Sequence, residues 1–230
     1  MQGYFCTILQ LSLSKEREEM KRPKLKLITD FSEARWVQES LYPREEQYHN
    51  CLGSYIPVGF ESYIAIRHEN NDPKLGTTIP LNFEKLILLI RDFTETPDTC
   101  FVGIWNGFGW NFEREFPELF KNLEPWKTFE KFFKIPDRKF YLMQTEILDT
   151  LKIGHFMFNN FNYEKSNLLW PSDRNWFVVN EIDFDVTLVG GSEQMICEIE
   201  NCWDFVTERF DPTVKNKDIF IADLDFDERH

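Results

Sequence analysis

The stretch that decides the fold is residues 176–192, which read WFVVNEIDFDVTLVGGS. Aromatic and β-branched residues dominate its first ten positions, so Trp176–Asp185 is predicted to be the longest strand, and Gly190 and Gly191 are predicted to follow its end. Ser192 is a favourable helix N-cap, and apolar residues recur after it at helical spacing. The predicted stripe comprises Met195, Ile196, Ile199, Cys202, Trp203 and Val206.

Strand and helix patterns intermix along the rest of the chain without a regular repeat. Further strands are predicted at residues 61–67, 100–105, 139–144 and 219–222, and further helices at residues 31–41 and 82–93 and directly after Thr145. This order favours an α+β fold, in which a mixed or antiparallel sheet is flanked by helices. Residues 20–230 are expected to form one compact domain of this kind, with an acidic segment at the C-terminal end.

Composition and charge exclude several classes of function. The chain has 230 residues, a net charge of −13, 42% hydrophobic residues and 23 phenylalanines, which argues against wholesale disorder. Residues 181–230 contain 14 acidic and 4 basic side chains, and so carry −10 of the total. This acidity argues against a nucleic-acid partner. No apolar run approaches the ~20 residues needed to span a membrane.

The N-terminal residues differ from the rest. A charged run, KEREE at residues 15–19, follows a mildly apolar stretch and precedes Met20, which makes a poor signal peptide. All five residues of that run can be encoded by purine-only codons, as in a purine-rich ribosome-binding site that has been translated. We therefore expect residues 1–19 to be a non-native or disordered extension. The five cysteines are scattered and form no CxxC pair, as expected of a reduced cytoplasmic protein.

Two motifs carry a resemblance to a known family. Residues 170–176 read WPSDRNW and residues 181–191 read EIDFDVTLVGG. Together with residues 59–63, 96–100 and 105–110, they resemble a family of bacterial proteins that has the pattern W-P-x-D-R-x-W followed by E-I-D-x-D-x-T-x-V-G-G and no assigned activity. The resemblance implies a single-domain unit and transfers no catalytic residue.

Three carboxylates form the sharpest candidate site. On one continuous strand, Glu181, Asp183 and Asp185 would share a face, with roughly 7 Å between successive side chains. Such a row repels itself unless a positive group or solvent faces it. The opposing group could be Mg²⁺, Ca²⁺, Arg174, a basic partner protein or water, and the sequence leaves these alternatives open.

Two aromatic segments are weaker candidates. Asp173 and Arg174 lie between two tryptophans, a pattern typical of a structural corner and, less often, of a ligand clamp. Trp105 and Trp110 lie among glycines, which favours a tight turn with inward-facing aromatic rings. The alternative for Trp105 and Trp110 is a small-molecule pocket.

The sequence therefore supports two hypotheses. In the first, the protein is a non-catalytic binding module, for example of the immunity or antitoxin kind, whose acidic surface attracts a basic protein partner without a cofactor. In the second, Glu181, Asp183 and Asp185 hold Mg²⁺ or Mn²⁺ in a metal-dependent hydrolase, with help from Asp223 and Asp225. The lack of any recognisable catalytic spacing favours the first.

Overall fold

The structure is a computed structural model, and it describes residues 23–42, 51–68, 83–107, 117–121, 132–135, 138–153, 166–181, 184 and 186–214. Nine strands are found in this part of the chain: β1 (Lys26–Ile28), β2 (Ser62–Arg67), β3 (Cys100–Trp105), β4 (Phe133–Ile135), β5 (Arg138–Thr145), β6 (Leu168–Pro171), β7 (Phe177–Asn180), β8 (Val186–Gly191) and β9 (Thr207–Arg209). The α-helices are α1 (Ser32–Glu39), α2 (Phe83–Ile90), α3 (Pro117–Phe120) and α4 (Glu193–Glu200). Short 3₁₀ helices lie at Leu52–Ser54, Arg91–Phe93 and Ile147–Lys152.

All nine strands belong to one sheet. Their order is β1-β5-β3-β6-β7-β8-β2-β9, and β4 also pairs with β5. Every pairing in the described part of the chain is antiparallel. The fold is therefore dominated by an antiparallel sheet that helices flank, so the antiparallel alternative of the predicted sheet is the one observed.

Apolar side chains cover both faces of the sheet. In β2, Ile64 and Ile66 join a core cluster with α2 and α4, while Tyr63 and Ala65 join a second cluster with α1. All four residues are buried. Because both faces are buried, the central strands appear in the sequence as continuous apolar runs and not as a two-residue alternation.

The predicted strand over residues 176–185 is confirmed in its first part and is wrong after Asn180. β7 ends at Asn180, and β8 begins at Val186 and pairs back on β7, with Asn180 opposite Thr187. β7 and β8 are therefore two separate strands that pair with each other in antiparallel orientation. Glu181 follows the end of β7 and is not part of a strand, so it does not lie on a continuous strand face as the sequence pattern predicted.

The two glycines that were expected after the strand lie inside β8. A Cβ at Gly190 would stand 2.7 Å from the Phe60 ring, and one at Gly191 would stand 2.2 Å from the Met195 side chain. Real Cβ atoms do not approach other atoms so closely. Glycine at these positions lets side chains pack directly on the backbone of the strand, which is a packing role and not a turn signal.

Other predicted elements agree with the structure more closely. The strand over residues 100–105 is confirmed as β3, and the helix over 82–93 is confirmed as α2 with the 3₁₀ turn after it. Ser192 caps α4, since its Oγ accepts a hydrogen bond from the Met195 N–H at 3.2 Å. None of the described helices is long and apolar enough for a bilayer crossing. The predictions for residues 1–19 and 219–222 lie outside the described residues.

The predicted stripe on α4 is wrong at its C-terminal end. The helix stops at Glu200, and the chain turns before β9. Met195, Ile196 and Ile199 are buried as predicted, whereas the side chain of Trp203 is 88% exposed. Asn201 follows the last helical turn, and its Nδ2 donates to the Cys197 carbonyl at 2.8 Å. An asparagine at that position is the signal that predicts the helix end.

Candidate functional site

Polar side chains concentrate at one end of the sheet. Because the strands are antiparallel, β2, β3 and β7 end there, while β5, β6 and β8 begin there. We call this region the polar end, and its members are His68, Trp105, Arg138, Asn167, Asn180, Glu181 and Thr187. Two candidates from the sequence, Glu181 and Trp105, are thus brought to the same region.

Arg138 connects these two candidates. Its guanidinium Nη2 lies 2.6 Å from Oε1 of Glu181, and the side chains are 22% and 8% exposed respectively. The same guanidinium carbon lies 5.1 Å from the centroid of the Trp105 ring, within cation–π range. Glu181 therefore forms a largely buried ion pair with Arg138. Asp183 and Asp185 lie outside the described residues.

A chain of hydrogen bonds crosses the neighbouring strands of the polar end. The Asn167 Oδ1 accepts from the Trp105 N–H at 2.9 Å, and the Asn167 Nδ2 donates to the Asn180 carbonyl at 3.2 Å. The Thr187 hydroxyl donates to Asn180 Oδ1 at 2.5 Å and also lies 2.8 Å from His68 Nε2. Buried polar groups that are satisfied in this way fix one strand register and stabilise it. These hydrogen bonds therefore have a structural role.

Burial lowers the pKa of His68 to about 4. Its ordinary value near 6.5 applies in the unfolded chain, so the unfolded state binds more protons than the folded one between these values. Stability is therefore full above pH 6.5 and falls as the pH is lowered towards 4.

This depressed pKa gives a measurable pH dependence. At pH 5 we expect the free energy of unfolding to be about 2 kcal/mol lower than at pH 7, from His68 alone. Urea unfolding at the two pH values measures it. The control is His68→Gln, which keeps a polar group opposite Thr187 but does not titrate, and it should lose markedly less stability over the same interval. An equal loss in both proteins would contradict the assignment.

Asp173 holds a corner that joins two segments. Its Oδ2 accepts hydrogen bonds from the Thr94 hydroxyl and the Glu95 N–H, both at 2.7 Å, and its Oδ1 accepts from the Asn175 N–H at 3.2 Å. The carboxylate thus ties the turn between β6 and β7 to the loop that precedes β3. Of the two roles weighed for Asp173, these contacts favour the structural corner.

Arg174 occupies the tip of the same turn with φ of 60°, a left-handed conformation that is uncommon outside glycine. Its guanidinium lies over the Trp36 ring at 5.4 Å and 3.7 Å from the Glu33 carboxylate. The side chain is 45% exposed, so the ion pair itself contributes little stability. Arg174 does not face Glu181, which is paired with Arg138.

The described part of the C-terminal segment presents an acidic surface around an exposed tryptophan. Trp203 lies in the turn after α4, and Lys85 of α2 lies 4.9 Å from its ring centroid. Lys85 also forms an ion pair with Asp204. We call this region the Trp203 surface; exposed carboxylates on the same elements are Glu84, next to Lys85 on α2, and Glu198 on α4. Sequence reasoning missed Trp203 as a surface residue because it placed the residue in the buried stripe of the helix.

Comparison with known proteins adds no further assignment: no family model, curated protein or solved structure matches the chain. Within the described residues, no three His, Cys, Asp or Glu side chains are grouped so as to hold a metal ion. Trp110, the second tryptophan of the pocket hypothesis, lies outside that part of the chain.

Proposed function

We propose that the protein is a non-catalytic binding module that recognises a basic protein partner through the Trp203 surface. The observation that supports this best is the 88% exposure of Trp203 on a surface of acidic residues. Tryptophan is enriched among the residues that dominate binding energy at interfaces, and a large indole left in water gains by being covered.

The surroundings of Trp203 suit a binding role. The stacked Lys85 restricts the indole before any partner arrives, which reduces the entropy that binding must remove. Since Asp204 is paired with Lys85, the exposed carboxylates Glu84 and Glu198 give the surface a net negative charge. Complementary charge accelerates association and selects a basic partner, and both effects weaken as salt rises. An immunity- or antitoxin-like role, in which this surface covers the cationic site of a nuclease, is one version of this proposal.

The test compares capture by three forms of the protein. The wild type, Trp203→Ala and Leu148→Ala are immobilised and exposed to lysate of the source cells at low and high salt, and the retained proteins are identified by mass spectrometry. Leu148 is 41% exposed on the 3₁₀ helix after β5, so it controls for the loss of an exposed apolar side chain.

We expect a basic protein to be retained by the wild type and by Leu148→Ala at low salt. Trp203→Ala should weaken this binding by at least about tenfold, as expected for an interface anchor. Retention that is insensitive to salt, or equal for all three forms, would contradict the proposal.

The hydrolase hypothesis has less support from the geometry. It needed Glu181 on the same strand face as Asp183 and Asp185, but Glu181 follows the end of β7 and is paired with Arg138. Its test remains independent of the first. Mg²⁺ or Mn²⁺ that raised the Tm of the wild type, but not of an Asp183→Asn and Asp185→Asn double variant, would favour a metal site through ligand linkage.

A further inference from the structure

A cleft of about 590 Å³ opens between residues 58–63 and residues 209–213. It lies at the opposite end of β2 from His68, where β2 begins and β9 ends. The cleft is wide and open to solvent, so a ligand held there would be covered on one side only. The cleft is distinct from both the polar end and the Trp203 surface, and none of its residues has a role in the binding proposed above.

Aromatic rings form part of the wall. Phe60 and Tyr63 lie with ring centroids 6.0 Å apart, and Tyr63 and Phe210 lie 5.6 Å apart. The Tyr63 hydroxyl donates to the Pro57 carbonyl at 3.2 Å and accepts from the Phe60 N–H at 2.9 Å, which fixes the ring. Tyr63 itself is buried, so the rings that a ligand could meet are those of Phe60 and Phe210, and aromatic faces attract organic cations.

The charges around the cleft sum to negative. Glu61 and Asp211 line it, and both are exposed. Its one lining cation, Arg209, is already compensated, since its guanidinium lies 2.7 Å from Glu193 and 2.9 Å from Glu200. Hydrogen bonds from Ser62 and Arg209 lower the pKa of Glu193 to about 2, so this carboxylate stays ionised.

We infer that this cleft binds an organic cation, such as the side chain of lysine or arginine or a small quaternary ammonium compound. Phe60 and Phe210 would contact the alkyl part and the cationic group of the ligand, while Glu61 and Asp211 would balance its positive charge. An anionic ligand is disfavoured, because the N–H groups of Arg209 already donate hydrogen bonds to Glu193, Glu200 and Ser62.

Two isosteric variants remove charge and preserve the fold. Asp211 Oδ1 accepts from the N–H and the hydroxyl of Thr213 at 2.8 and 2.7 Å, and Asp211→Asn retains an oxygen acceptor for both. Glu61 Oε2 accepts from the Glu193 N–H at 2.9 Å, and Glu61→Gln likewise retains that acceptor. Asp92→Asn, at an exposed carboxylate in the 3₁₀ turn after α2, is the matched control for loss of one charge.

The probes are N-acetyl-lysine methylamide, N-acetyl-arginine methylamide and tetramethylammonium chloride, with the neutral N-acetyl-norleucine methylamide as reference. Titration calorimetry on the full chain should show binding of at least one cationic probe and none of the norleucine compound. Which cation binds most tightly distinguishes a peptide side chain from a free ammonium ligand. Asp211→Asn and Glu61→Gln should each weaken binding about threefold or more, Phe210→Leu should do the same, and Asp92→Asn should have no effect.

Three outcomes would overturn the inference: no cationic probe binds, the norleucine compound binds equally well, or the cleft variants leave affinity unchanged. Trp203→Ala separates this inference from the proposed function. That variant should lose the protein partner and retain the cationic probe, so either idea can fail while the other stands.

Discussion

Glu181→Ala is expected to lower the free energy of unfolding by about 3 kcal/mol, because it removes a carboxylate that the largely buried Arg138 guanidinium contacts. Removing one partner of a buried ion pair costs more than the pair contributes, since the remaining charge stays away from water. Arg138 is also held over the Trp105 ring and so is not expected to turn outwards freely. Urea or thermal unfolding followed by circular dichroism measures the loss.

A double variant provides the control for this prediction. Arg138→Met with Glu181→Leu replaces both charges by apolar side chains of similar size, and such exchanges are often neutral or stabilising. We therefore expect the double variant to be more stable than Glu181→Ala alone. If instead Glu181→Ala unfolds like the wild type and binds no partner, the carboxylate is a functional group, and its structural role is secondary.

Trp170→Ala is expected to cost about 4 kcal/mol of stability, the upper part of the range for large buried aromatic residues. The indole is fully buried and stacks between Phe101, at 5.6 Å and 24°, and Phe177, at 5.3 Å and 15°. Trp36 also meets it edge-on at 6.3 Å. Alanine would leave a cavity, and Trp36, Phe101 and Phe177 could fill it only by giving up contacts that they make elsewhere.

Trp170→Phe is the matched variant for this cavity. The indole N–H of Trp170 has no hydrogen-bond partner among the described residues, so phenylalanine leaves no acceptor unsatisfied there and restores most of the stacking. We expect a loss near 1 kcal/mol for Trp170→Phe and within 0.5 kcal/mol for the surface change Leu148→Ala. Equal losses for alanine and phenylalanine at residue 170 would show that stacking area does not determine stability here.

The motif WPSDRNW shows how far the sequence could be interpreted. It predicted a corner held by polar groups among aromatic residues, and the structure shows Asp173 accepting hydrogen bonds from the loop before β3. Trp170 and Trp176 belong to different core clusters, on opposite faces of the sheet. The pattern alone could not show this, because a turn between the two residues determines which face each one joins.

Strands and helices were predicted best where a segment determines its own structure. β3 and the Ser192 cap depend on local patterns and were predicted at the right residues. The split between β7 and β8 was missed because Ile182, Phe184 and Val186 continue the strand pattern of the sequence beyond Asn180, and only the pairing of Asn180 with Thr187 reveals it. The partner of Glu181 was missed for the same reason, since Arg138 is 43 residues distant in sequence and reaches it only through the topology of the sheet.

Arg209 forms ion pairs with Glu193 and Glu200 of α4. It fastens the short strand β9 to α4, and β9 in turn occupies the outer backbone of β2 opposite Ile64, Ala65 and Ile66. A chain cleaved before Thr207 would leave the amide and carbonyl groups of this apolar strand open to another molecule. The three residues of β9 therefore protect this edge from pairing with another chain, and the exposed ion pairs of Arg209 make a modest contribution to holding β9 there.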